Sequence, residues 1–178
     1  ILLATFSAGK SWIEEILAPM ITLMKAVPVA SVVVIFLIWW GSGNLAIAIS
    51  FFMAFPNFYL NTLEGIRSTD KKLLEMAKIF MMPARNQFFY IYRPTLRPFW
   101  DSAIKLSEGM CWTAGVAAEV IGFPERAIGE QLYMSKIYLE TDKVFAWTLV
   151  IILLSQLFEK LCLKLWTVIQ AWEPGCKS

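Results

Sequence analysis

Six residues in the second half of the chain, Arg97, Asp101, Lys105, Glu108, Trp112 and Glu119, combine charge and hydrogen-bonding capacity with a helical spacing. At about 100° per residue they fall within about 80° of one another around a helix axis, and Gly115 joins the same face. Carboxylates on such a face can act as acid or base. Residues 98–122 are otherwise apolar enough for a membrane span, where each charge costs about 2.5–3.5 kcal/mol on insertion scales and so faces a bundle interior or a watery cavity. The face therefore lines either a solute path or a seam between subunits. Lys105, Glu108, Trp112 and Glu119 are the pathway candidates. Arg97, Asp101 and Lys105 also suit a membrane interface, Asp101, Lys105 and Glu108 have the spacing of ordinary helix ion pairs, and Glu119 suits the opposite interface. Glu108 and Trp112 resist such explanations best. Small residues at Ser107, Cys111 and Gly115, and at Ala114, Ala118 and Gly122, permit close helix approach, a homodimer seam included.

A second constellation is EMAKIFMMPARNQFFYIYRP, residues 75–94, polar and cation-rich between apolar runs. A chain that only had to turn around would spend a few residues here. Ser68-Thr69-Asp70 offers side-chain oxygens to the unpaired N–H groups of a helix start. Leu73, Leu74, Ala77, Phe80 and Met81 then recur at helical spacing, with Lys71, Lys72, Glu75 and Lys78 opposite. Such a helix either lies on anionic headgroups or seats in a groove of a soluble partner.

The elements that position these residues follow from composition. The 178 residues are 58% hydrophobic and 17% charged, with a mean hydropathy of +0.59, far from the balance of a soluble domain. One all-α integral membrane domain over residues 1–178 is expected, a polytopic helical bundle. Four spans are predicted, at residues 26–40, 45–60, 98–122 and 144–171. The first two fall short of about 20 residues and rely on the interfacial Trp39, Trp40 and Tyr59. Residues 1–8 read as the tail of an earlier span, and a start at Ile rather than Met suggests truncation at the N-terminus. Residues 64–97 carry seven bases against three acids, and residues 122–143 three bases against four acids. The positive-inside bias puts the first loop, and the 10–25 segment, in the cytoplasm and the second loop outside.

Other chemistry is thin. The chain has no histidine, which removes Ser-His arrangements and the usual zinc sites. Cys111, Cys162 and Cys176 lack metal-ligand spacing. Residues 4–11, ATFSAGKS, fit a relaxed phosphate-loop pattern but lack the strand before it and a later acid for magnesium, so they read as a surface turn. The loop cations lack the aromatic interleaving of a nucleic-acid surface.

The 75–94 stretch resembles the "EAA" loop of bacterial ABC-importer permeases, E-A-A, three residues, G, nine residues, I-x-L-P. Glu75-Met76-Ala77 fills the first element and Ile91, Tyr92, Arg93 and Pro94 the last, with Met81 at the glycine and Arg93 at the leucine. Pro83, two residues past the absent glycine, could end the helix instead. From about residue 19 to residue 161 the chain is similar to permeases of the nitrate, sulfonate, taurine and bicarbonate type, with thiamine-pyrimidine importers as relatives. The matching stretches include Asn61 to Arg67, Trp112, Ala118-Glu119, Gly129 and Thr141 to Ala146. The resemblance implies about six spans in full, a permease homodimer or pseudo-dimer, two cytoplasmic ATPase subunits and an external solute-binding protein. It implies an ATPase-coupling role for Glu75, Ala77, Met81, Arg85 and Pro94. It also implies no cofactor on this chain, since ATP and magnesium belong to the ATPases, and a multi-pass place in the bacterial inner membrane. The alternative from another class is a membrane enzyme using Asp101, Glu108 or Glu119. The face from Arg97 to Glu119 holds two bases and three acids, a poor anion site, so the solute stays open.

Overall fold

A computed structural model describes residues 2–171, and every regular element among them is helical. They are α1 (Leu2–Gly9), α2 (Ser11–Ala26), α3 (Val29–Trp40), α4 (Leu45–Arg67), α5 (Lys71–Ile79), α6 (Ala84–Gln87), a π-helical turn (Phe88–Tyr92), α7 (Arg93–Gly122), α8 (Ile128–Ile137) and α9 (Thr141–Ala171). Cys176 lies outside the described residues.

Among the described residues two helices are long and apolar enough to cross a membrane, Leu45–Arg67 and Thr141–Val168, with a third only if α2 and α3 are taken as one broken span. The expected span at residues 26–40 is therefore corrected. The chain interrupts its helix at Val27-Pro28, where a proline disfavours helical geometry in the residue before it. What remains, α3, has 12 residues, about 18 Å at 1.5 Å per residue, against about 30 Å of hydrocarbon. α7 has the length at 30 residues, but its charged face keeps it out of the apolar set. The 10–25 segment is mostly α2, whose Ile21 buries against Ala4, Tyr59 and Leu63.

The chain packs as two units, Ile1–Val27 with Phe52–Ser107 and Pro28–Phe51 with Glu108–Ser178, as far as their described residues go. α4 and α7 contribute to both. In the first unit Tyr59 donates to Ser7 Oγ at 3.0 Å, and Ser7 donates to the Leu3 carbonyl at 2.9 Å. The phosphate-loop-like stretch is thus mostly helix with a core serine, not an open cradle. Arg67 pairs with Glu14, tying the end of α4 to the start of α2. Gly65 lets α7 approach α4, since a Cβ there would lie 2.7 Å from Leu96 Cδ2 and 3.0 Å from Phe99. Trp100 Nε1 donates to Thr62 Oγ1 at 3.1 Å across the same contact.

In the second unit the small residues of α7 are used within the chain. Ser50 Oγ donates to the Cys111 carbonyl at 3.3 Å and Cys111 Sγ donates to the Ser50 carbonyl at 3.1 Å. A Cβ on Gly115 would touch Ser50, and one on Gly122 would collide with Leu45. Ala114 and Ala118 are buried as well. Cys111, Ala114, Gly115, Ala118 and Gly122 thus serve close approach within the chain, one of the uses that small residues permit.

Candidate functional site

α5 starts at Asp70, whose carboxylate accepts from the Lys72 N–H at 2.8 Å, the N-cap role foreseen for the 68–70 triplet. Ala77, 1% exposed, is its buried residue, and Leu74 is half-buried. Leu73, Phe80 and Met81 belonged to the apolar face by periodicity but are exposed. Glu75, Lys71, Lys72 and Lys78 are exposed too.

The helix ends by a different device from the one expected. The Met81 N–H donates to the Lys78 carbonyl at 3.1 Å and the Met82 N–H to the Ala77 carbonyl at 2.9 Å. This is the paired bonding of a Schellman cap, which requires a left-handed residue between helix and exit. That residue is Met81, at φ +49°. The position where the resemblance calls for glycine thus has the backbone that glycine favours, and methionine adopts it at a cost of about 1 kcal/mol or more. Pro83 does not break α5; it stands at the N-cap of α6. The cap leaves Ile79, Phe80 and Met81 protruding, Met81 at 89% exposure.

From this tip the chain returns to α7 without slack. Gln87 Nε2 donates to the Met82 carbonyl at 2.8 Å. The helix from Ala84 continues through the π turn, where the Arg93 N–H reaches the Phe88 carbonyl. Pro94 has no N–H to give, which helps the ladder slip by one residue here. Ile91 is buried, while Arg85 and Arg93 stand 6.0 and 5.8 Å from the Phe89 ring centre. Of the five coupling candidates, Glu75, Ala77 and Met81 share α5 and its cap; Arg85 and Pro94 lie on the return helix.

The polar face of α7 does not act as one group. Arg97, Asp101 and Lys105 fall in the first unit, and Glu108, Trp112 and Glu119 in the second. Lys105 and Arg97 are exposed, Asp101 half-buried. Glu119 is engaged: its Oε2 accepts from the Gly129 N–H at 2.9 Å, at the positive end of α8. Glu130 Oε2 accepts from the Arg126 N–H at 2.8 Å at the same end. A Cβ on Gly129 would collide with the Glu119 side chain and lie 2.9 Å from Val120 N. Ala118-Glu119 and Gly129, two separate points of resemblance in the sequence, meet in space.

Glu108 and Trp112 differ. Among the described residues, Ser107 Oγ, Glu108 Oε2 and Trp112 Nε1 are the buried side-chain polar atoms without a hydrogen-bond partner in the chain. All three lie within about a turn and a half of α7, and the Trp112 ring centre is 5.9 Å from that of Phe158 on α9. A buried polar atom left unpaired costs about 1–3 kcal/mol, so this stretch is where α7 needs an outside hydrogen-bonding group. No cluster of three or more His, Cys, Asp or Glu able to hold a metal occurs among the described residues. Within the first unit, a cavity of about 420 Å³ is lined by Glu14, Ile21, Thr22, Lys25, Tyr59 and Leu63. Sequence reasoning missed the Glu119–Gly129 clamp, although both of its ends stood among the points of resemblance.

With this geometry in hand, comparison with known proteins is specific. Residues 1–160 match the family described as binding-protein-dependent transport system inner membrane component. The chain is similar to the putative aliphatic sulfonates transport permease protein SsuC of Bacillus subtilis (strain 168), 31% identical over 148 residues that make up 81% of this chain and 52% of the relative. The riboflavin transport system permease protein RibX of Chloroflexus aurantiacus is 24% identical over 86% of this chain and 60% of its own length. The taurine transport system permease protein TauC of Escherichia coli (strain K12) is 25% identical over 83% of this chain and 54% of its own. The chain thus spans a little over half the length of these relatives.

Proposed function

From a chain that belongs to the family of binding-protein-dependent transport system inner membrane components, we infer a permease subunit of an ATP-driven ABC importer in a bacterial inner membrane. It would act as one of a pair, take up a small solute and catalyse no reaction itself. The observation that carries this reading is α5. It is a capped helix with one buried alanine, a polar surface and a protruding apolar tip, bound through Met82 and Gln87 to the helix that becomes α7. Such a tip suits a groove on a soluble partner, and its covalent and hydrogen-bonded link to α7 lets force applied there reach the polar face.

The excess of seven bases over three acids in residues 64–97 favours the cytoplasm for this loop, and residues 122–143 then lie outside. ATP and magnesium would be held by two cytoplasmic ATPase subunits. Their closure would draw the α5 helices of the permease pair together and open an outward cavity to solute from an external binding protein. Glu108 and Trp112 are the pathway residues that the unpaired atoms of α7 favour; Glu119 serves α8 instead. Relatives named for aliphatic sulfonates, riboflavin and taurine bracket the solute only as a small organic molecule.

The test is copurification with candidate ATPase subunits and stimulation of their ATP hydrolysis. Glu75→Ala and Ala77→Asp should uncouple transport with the permease still in the membrane. Wild-type copurification and stimulation in both variants would sink the reading.

A further inference from the structure

α8 ends in the same way as α5. The Tyr138 N–H donates to the Met134 carbonyl at 3.0 Å, Leu139 to Lys136 at 3.2 Å and Glu140 to Ser135 at 2.9 Å. Leu139 takes the left-handed position at φ +56°. Ile137, Tyr138 and Leu139 protrude from this turn, Leu139 at 86% exposure.

We propose that the tip Ile137-Tyr138-Leu139 is seated in the bilayer at the interface between acyl chains and headgroups, so that α8 is a strut between α7 and the lipid. One observation permits a lipid seat and two more select it over a protein partner. First, backbone can enter hydrocarbon only when its N–H groups are paired, and those of residues 138, 139, 140 and 141 all are, Thr141 through the Leu139 carbonyl at 3.1 Å. Second, the tip is continuous with a span. Thr141 opens α9, whose most apolar window has no residue buried inside the chain; Phe145, Leu149 and Leu153 stay exposed, on the surface that lipid would coat. Third, the residue types are those of an interface. Tyr138 has an apolar ring with a polar end, and Lys136 and Lys143 flank the tip with stems long enough to snorkel. Lys136 Nζ lies 5.8 Å from the Tyr133 ring centre, and Lys143 Nζ lies 2.8 Å from Glu140 Oε1. At the far end of α8 the Glu119–Gly129 bond fixes the strut to α7. The seating holds on either side of the membrane, so it stands or falls apart from the transport reading.

The experiment uses the full chain with Cys111, Cys162 and Cys176 replaced by alanine, reconstituted in vesicles of phosphatidylethanolamine and phosphatidylglycerol. Nitroxide labels at Leu139→Cys and, separately, at Tyr138→Cys are compared with one at Glu125→Cys in the preceding loop. Labels in the interface should show a several-fold higher ratio of oxygen to water-soluble nickel-chelate accessibility than the label at 125. Tyr138 lies outside the left-handed position, with φ −81°, so its label reads the site even if that at 139 disturbs the turn. Ratios at both positions equal to that at 125 overturn the proposal. So does shielding from both reagents that appears only when a soluble binding protein is added, which would make the tip a protein-docking element.

Discussion

α5 and α8 are short helices finished by one backbone device, a Schellman turn with a large apolar residue in the left-handed position, and each pushes three apolar side chains outward. They differ in what surrounds the tip. α5 has four charged residues along nine positions, and its tip is followed by Pro83 and Arg85 rather than by an apolar span. α8 runs within four residues into α9, the more apolar of the two described helices long enough to cross a membrane. The comparison separates two matters that are easily merged. The cap decides that a tip protrudes; the flanking sequence decides whether water, protein or lipid is there to receive it.

The comparison breaks most easily at the buried side of α5. Ala77→Asp would put a carboxylate where 1% of the residue is exposed, a cost of about 3–5 kcal/mol for an unpaired buried charge. Uptake and ATPase copurification should fall together, with Glu75→Ala losing coupling at little cost in stability. Thermal unfolding in detergent beside uptake separates the two.

At the base of α8, Gly129→Ala forces a Cβ against Glu119 and the Val120 nitrogen, and overpacking of this kind costs about 1–3 kcal/mol. A lowered melting temperature, with faster proteolysis between residues 123 and 140, is the expected reading. An unchanged melt would show that the clamp is slack. Glu119→Gln keeps the shape and an amide oxygen that still accepts from the Gly129 N–H, so only the charge assistance goes, at about 1 kcal/mol, the low end of the range for the glycine change. Uptake falling far more than stability in that variant would return Glu119 to the pathway.

The smallest effects sharpen the likeness itself. Met81→Gly and Leu139→Gly each relieve a left-handed residue, worth about 1 kcal/mol, so both tips should gain helix stability. Met81→Gly should nevertheless weaken ATPase association, because the protruding side chain is lost, whereas Leu139→Gly should leave it alone. Equal effects on association would erase the distinction between the tips.

Much of this was legible in the residues. Asp70 as cap, an amphipathic helix after it and an all-helical chain follow from periodicity and composition. The resemblance located the glycine position whose backbone Met81 then adopts. Other features depended on contacts that a linear pattern does not encode. Periodicity could not say that Phe80 and Met81 project outward, because their direction depends on a turn set by Met82 reaching back five residues to Ala77. The six-residue face of α7 looked uniform because angle about an axis ignores neighbours. Only packing reveals that Glu119 is committed to Gly129 while Glu108 and Trp112 keep unpaired atoms. The span at residues 26–40 failed on Pro28, where hydropathy outweighed a breaker that was visible in the sequence.

The π turn at Phe88–Tyr92 sets an angular phase. A helix advances about 100° per residue, so one residue more or less between Ala84 and Gln87 swings everything before the turn around the α7 axis by more than a quarter revolution. The bearing of α5 relative to Lys105 is therefore fixed by a count of residues as well as by contacts. A residue deleted from the ordinary α-helical part, with the π turn kept, would aim the tip of α5 elsewhere, whereas one deleted from Phe88–Tyr92 would be largely absorbed as the i→i−5 bond becomes i→i−4. Outside the π turn the loop can then vary widely in residue type yet hardly at all in length.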